Sequence, residues 1–185
     1  PEGQVDERRP VGRAIILLGH TADFQIDVLT HPPEAGRAEL WSARKNCYWH
    51  AKNFLGDGER TQVWTTDICV PIAALPSVME ATQADIAELG VTAPLVAHAG
   101  DGNIHLFMLL RNEDDEKRAS VVNERMIRRA IAVGGTITGE HGVGLGKRDF
   151  LLLEKGQDGI DVMRQIKRAL DPNNILNPDK VLPDE

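Results

Sequence analysis

The sequence predicts an α+β domain, an antiparallel sheet with helices packed on one face. Two observations carry that expectation. Short apolar or β-branched runs alternate with longer stretches of helical spacing in the order β-α-β-α-β-β-α-β-α. The two central runs, APLVAH and NIHLFMLL, are separated by AGDGN, the composition of a hairpin turn between antiparallel strands. At 185 residues the chain fits one domain built on a single core.

Residues 1–12 are polar and broken by Gly3, Pro10 and Gly12, so they read as a linker or a cut end. AIILL (14–18) and FQIDVL (24–29) read as strands, the second alternating like a half-buried one, before HPPEAG interrupts the chain. From Arg37 to Lys52, Leu40, Trp41, Ala43, Arg44 and Cys47 recur at helical spacing, with Arg44 one turn from Tyr48. QVWTTDICVPI (62–72) is rich in β-branched and aromatic residues, and Pro71 ends it as a strand.

Pro76 and Ser77 open a helix that places Val78, Met79, Ile86 and Leu89 at roughly helical spacing and stops at Gly90. After the hairpin, Glu113, Asp114 and Asp115 suit a helix N-terminus, and NERMIRRAIAV supplies the helix body. GGTIT is expected as a short strand or loop. The last helix is expected from about Gly159 to Leu170, where Pro172 and Pro178 forbid continuation.

Charge excludes one class of function. Lys and Arg number 21 against 28 Asp and Glu, a formal net of −7, which argues against nucleic acid because phosphate binding needs a basic face. Cys47 and Cys69 form no close-spaced pair and suit a reducing compartment. The start lacks the apolar stretch of a signal peptide, and no run approaches the ~20 apolar residues that span a bilayer. A cytoplasmic location is therefore expected.

Chemistry concentrates in HAGDGNIHLFMLL and ITGEHGVGLGKRDF. If AGDGN turns a hairpin, His98 and His105 sit on neighbouring strand ends, where cross-strand Cβ atoms are ~5 Å apart. They could share a metal ion or simply flank the turn. Glu140 would complete a set of two histidines and one carboxylate that leaves positions open for water or substrate. His141 would then stand near the metal without binding it. A metal-bound histidine needs an acceptor for its other ring nitrogen, and Asp101 is one candidate.

GVGLGKR fits neither GxGxxG nor the phosphate-binding P-loop. Lys147 and Arg148 could neutralise an anion or be solvated charges at a helix start, and Arg44 could fork onto a carboxylate or be an ordinary surface charge. Both cysteines read as core, since neither adjoins a histidine triad and no GxSxG elbow is present.

The combination of HAGDGNIHL, TITGEHGVGLGKRDFL and ALDPNNILNPDKVL resembles the C-terminal domain of the FAD-linked oxidase family, which includes D-lactate dehydrogenase (cytochrome type) and the glycolate oxidase flavin subunit, and TTDICVPIAALPSVM is similar to the strand-Pro-helix segment of its D-lactate dehydrogenase branch. The resemblance runs from about Glu39, so residues 39–185 are expected to form the family domain and residues 1–38 a poorly matched segment holding the first strand or strands.

What the resemblance implies is a ferredoxin-like cap over FAD held by a separate N-terminal domain, expected to be missing here. On that reading His98, His105 and Glu140 fall on a zinc or manganese site, and His141 on the catalytic base. Arg44 falls on the grip for the substrate carboxylate, while Asn177 and Lys180 lie in a tail that approaches the flavin. A small 2-hydroxy acid is the implied substrate. Thr65 and Phe107 depart from the hydroxyglutarate branch, favouring D-lactate-like molecules. A homodimer is implied as well, and the electron acceptor is left open. Two other classes compete: a stand-alone metal-binding module, and a metal-dependent hydrolase.

Overall fold

The computed structural model describes residues 14–17, 34–56 and 60–184, the side chains of 14–17, 34–41, 43 and 44 excepted. The expected linker at 1–12 and strand at 24–29 lie outside the described residues. The elements are β1 (Ala14–Leu17), α1 (Glu34–Asn53), β2 (Gln62–Thr65), β3 (Ile68–Cys69), a 3-10 turn (Ile72–Ala74), α2 (Leu75–Leu89), β4 (Leu95–His98), β5 (Asn103–Leu110), α3 (Glu113–Ala132) and α4 (Arg148–Leu170).

The sheet is antiparallel throughout, in the order β1-β4-β5-β2, with β3 also paired to β5. The class is thus α+β, as the sequence predicts. β5 sits at its centre because it can be covered on both sides. Ile104, Leu106 and Met108 point to one face and join Val78 of α2 and Val122, Met126, Ile127 and Ala130 of α3 in the main core. These helices pack where the sequence places them.

The opposite face is apolar at Val96 and Phe107, which α1 covers with Ala51 and Cys47. An uncovered Phe beside Val would leave a patch that water disfavours, so α1 covers this second face, whereas the sequence predicts helices on one face alone. From Ile104 onward β5 therefore reads as a nearly unbroken apolar run, with His105 as its polar exception.

Local chemistry explains the helix ends. Asn112 caps α3 by accepting the Asp115 N–H at 2.9 Å, with Glu113 to Glu116 in the first turn. One expectation needs correction here: the strand of residues 62–72 is divided at Thr66 and Asp67 into β2 and β3. GGTIT, expected as a short strand or loop, is a loop with one bridge between Thr136 and Cys69.

The last helix starts at Arg148, well before Gly159. Gly156, at φ 68°, interrupts it with a kink. The two glycines hid the first segment because they weaken a helix on propensity alone. Tertiary contacts override that weakness: Leu151 is buried in the core, and Glu154 accepts from the Thr136 hydroxyl at 3.0 Å and the Ile137 N–H at 2.8 Å.

Candidate metal centre

The register of the hairpin decides where its histidines go. His98 pairs with Asn103 and His105 with Val96, so both imidazoles project from the face opposite the main core, offset along the strands. Their rings meet edge to face with centroids 5.5 Å apart. Glu140 arrives from the segment after α3. Its Oε1 lies 2.9 Å from His105 Nε2, 3.5 Å from His98 Nε2 and 3.8 Å from His141 Nε2. One ligand atom from each of His98, His105 and Glu140 falls within 4.8 Å of the others.

His105 carries information about what belongs between these atoms. Its Nδ1 lies 3.0 Å from the carbonyl of Thr66. A carbonyl can only accept, so Nδ1 holds the hydrogen, and in the neutral ring Nε2 presents a lone pair toward the Glu140 carboxylate. Two lone pairs facing each other at 2.9 Å repel unless a positive charge lies between or beside them. A divalent cation bound by nitrogen and oxygen donors satisfies that requirement, and the donor set fits one.

The Thr66 carbonyl is available for this purpose because of a local exchange. Thr66 N–H donates to the Leu106 carbonyl at 3.0 Å, but the return bond from Leu106 N–H goes to the Thr66 hydroxyl at 2.9 Å. The gap between β2 and β3 thus leaves one carbonyl for an imidazole. The acceptor expected at Asp101 is found instead at Thr66; Asp101 donates its N–H to the His98 carbonyl at 2.9 Å.

Asp67 follows, with its side chain fully buried. It accepts from the Thr138 hydroxyl at 2.8 Å and from the N–H groups of Gly139, Glu140 and His141 at 2.9, 3.1 and 2.9 Å. Lys147 Nζ adds bonds of 2.7 Å to its carbonyl and 3.2 Å to its carboxylate. Burial opposes ionisation of Asp67, yet the His141 N–H, the Thr138 hydroxyl, the Lys147 charge and the Glu140 N–H outweigh it and hold the carboxyl well below the usual carboxylate range. Burial acts on Lys147 too, pushing its ammonium below its ordinary value against the pull of Asp67.

Gly139 is required by a close approach. A Cβ there would stand 2.6 to 2.8 Å from the side-chain amide atoms of Asn103. Asn103 is itself buried, and among the described residues its Oδ1 has no hydrogen-bond partner.

Four sequence-predicted residues therefore meet: His98, His105, Glu140 and His141, the last stacked on His105 with centroids 4.9 Å apart. Arg44 lies within α1, but its side chain is outside the described residues. Asn177 and Lys180 occupy the turn after α4. Lys180 lines a cleft of about 400 Å³ with Arg164, Lys167 and Arg168, a lining that includes none of the four clustered residues. Of the two readings left open for Lys147, neutralising an anion or a solvated charge, its contacts fit the first, the anion being the buried Asp67 carboxylate. Asp67 and Thr66 were missed; the only signal was a lone acid within an apolar strand, which demands a partner.

Across β2 and β5, Thr65 and Phe107 are direct partners, and Tyr48 of α1 meets the Phe107 ring edge-on at 5.9 Å. Phe107 follows His105 by two residues on the same face, so an apolar wall adjoins the histidines.

Comparison with known proteins identifies the family of the chain. Residues 16–181 match the family described as "FAD linked oxidases, C-terminal domain". The chain is 47% identical over 152 residues to the mitochondrial D-lactate dehydrogenase [cytochrome] of Kluyveromyces lactis, covering 80% of this chain and 26% of that protein. It is 38% identical over 170 residues to D-lactate dehydrogenase [cytochrome] 1, mitochondrial, of Saccharomyces cerevisiae, covering 91% and 28%. With glycolate oxidase subunit GlcD of Escherichia coli (strain K12) it shares 33% identity over 159 residues, 85% of this chain and 31% of the relative. The chain thus spans about a quarter to a third of the length of these relatives, and by a match across nearly its whole length it belongs to the FAD linked oxidases, as their C-terminal domain.

Proposed function

We propose that this chain is the substrate- and metal-binding domain of a flavin-dependent D-2-hydroxyacid dehydrogenase that converts a D-lactate-like acid to its 2-oxo acid, and that its sheet is the ferredoxin-like cap of such an enzyme. The observation that supports it most is the convergence of His98, His105 and Glu140 on one point, with the Nε2 of His105 turned toward a carboxylate.

In this reading those three residues hold zinc or manganese. The metal would supply a Lewis acid for the substrate hydroxyl, and FAD, held mainly by another domain, would supply the hydride acceptor. His141, half exposed beside Glu140, takes the hydroxyl proton as the carbon gives up its hydride. Arg44 grips the substrate carboxylate, and Asn177 and Lys180 approach the flavin.

The wall of Phe107, Thr65 and Tyr48 suits a small apolar side chain on the substrate and offers a second carboxylate no cation. The relatives from both yeasts are named mitochondrial, so an organelle competes with the cytoplasm as the location. Among the described residues no helix is long and apolar enough to cross a membrane.

Metal analysis of the chain and its Glu140→Ala variant, after dialysis against a weak chelator, tests this function. About one zinc or manganese per wild-type chain, absent from the variant, is the result expected for a three-ligand site. Equal metal in both proteins would remove Glu140 from the site, and FAD retained by the chain through gel filtration would overturn the division between two domains.

A further inference from the structure

The residue opposite His105 across the sheet is a buried acid. Thr65 pairs with Phe107 and Ile68 with Ile104, so the strand keeps its register through the gap, and Asp67 lies on the His105 face. Its Oδ1 stands 3.9 Å from His105 Nδ1. Asp67 could be grouped with His105 and His141 as a ligand set of its own. Its bonding argues otherwise: Oδ2 already accepts from the Thr138 hydroxyl, three successive N–H groups and Lys147. Oδ1, the oxygen that faces His105, meets its Nδ1, the ring nitrogen that donates to the Thr66 carbonyl and so has no lone pair for a shared cation.

Those donors belong to the residues that deliver Glu140 and His141. Gly139, Glu140 and His141 have no strand or helix to fix them, and a segment without regular structure needs another source of orientation. We propose that Asp67 is the positioning residue of this centre: by drawing the N–H groups of residues 139–141 onto one buried oxygen, it turns the segment so that Glu140 and His141 face His98 and His105. The preceding residue fixes the His105 ring through its carbonyl. Consecutive residues of one strand gap thereby aim both halves of the site.

The inference rests on the metal reading for its effect on affinity, but not for its effect on the segment. The test is amide hydrogen exchange of the whole chain together with a zinc titration, on wild type and Asp67→Asn. The variant is expected to exchange faster at residues 139–141, with α2 and α3 as protected as before, and to bind zinc about 10–100-fold more weakly, as supporting partners of metal ligands do.

Unchanged exchange at 139–141 overturns the proposal, as does a uniform loss of protection with wild-type zinc affinity, the mark of a purely structural acid. If wild type binds no zinc, the metal reading fails while the exchange comparison still decides the role of Asp67. If Asp67→Asn does not fold, Thr138→Val removes a single donor: faster exchange at 139–141 supports the role, and unchanged exchange refutes it.

Discussion

Thr66 gives its carbonyl to His105 because its own hydroxyl, 2.9 Å from the Leu106 N–H, replaces that carbonyl in the ladder. A side chain here stands in for the main chain, and the site gains an acceptor that a regular sheet would have consumed.

Replacing that hydroxyl with a methyl in Thr66→Val keeps the shape and deletes the acceptor. Leu106 N–H must then go unpaired or recapture the carbonyl from His105. A loss of about 1–3 kcal/mol in urea unfolding is expected for the unpaired case. Should stability hold, the cost should appear as weaker zinc binding through a freed His105 ring; wild-type values for both would refute the exchange.

Lys147 and Asp67 form a buried pair, and removing one partner leaves a charge without its counter-ion. Lys147→Met should cost about 3 kcal/mol, the low end for such pairs because Asp67 keeps its other donors. Equilibrium unfolding in urea measures it, and a cost under about 1 kcal/mol, the surface-pair range, would show the pair to be solvated.

At Gly139 a methyl group meets the Asn103 amide. Gly139→Ala must push the segment outward, for an expected loss of about 1–3 kcal/mol, with zinc affinity falling further than stability accounts for. Zinc titration of the folded variant is the check; intact affinity would mean that Asn103 yields instead.

Asp171 anchors the turn that carries Asn177 and Lys180. The bonded Lys167 ammonium outweighs burial, and with the N–H groups of Ile175 and Leu176 it lowers the carboxyl to about 2. A folded value below the unfolded one, ~3.9, means the stabilisation is complete above the unfolded value and is lost as pH falls toward 2. Wild type should therefore exceed Asp171→Asn in thermal stability at pH 6, with the margin closing between about pH 4 and 2. A margin constant across that range would contradict the ionised anchor.

The central hairpin and both helices flanking it were legible because their signals are local: apolar spacing, turn composition, an acidic first turn. His98, His105 and Glu140 were legible as residue types that recur in metal sites, and the resemblance joined them. Asp67 and Lys147 were not, because a pair separated by 80 residues leaves no periodic trace. The start of α4 was hidden for a related reason. Propensity favours a break at Gly156 and Gly159, whereas Glu154 and Leu151 earn their helix only through contacts outside it.

The two sides of the centre also differ in time. A hairpin closes in about 1–10 μs, so β4 and β5 can present His98 and His105 early. Glu140 must wait until α3 has formed and the distant bond from Lys147 to Asp67 can close, since non-local contacts repay their loop entropy late. Substitutions at Asp67 should then speed unfolding and leave the folding rate nearly unchanged. The histidines would stand assembled on their sheet before the carboxylate that completes them arrives.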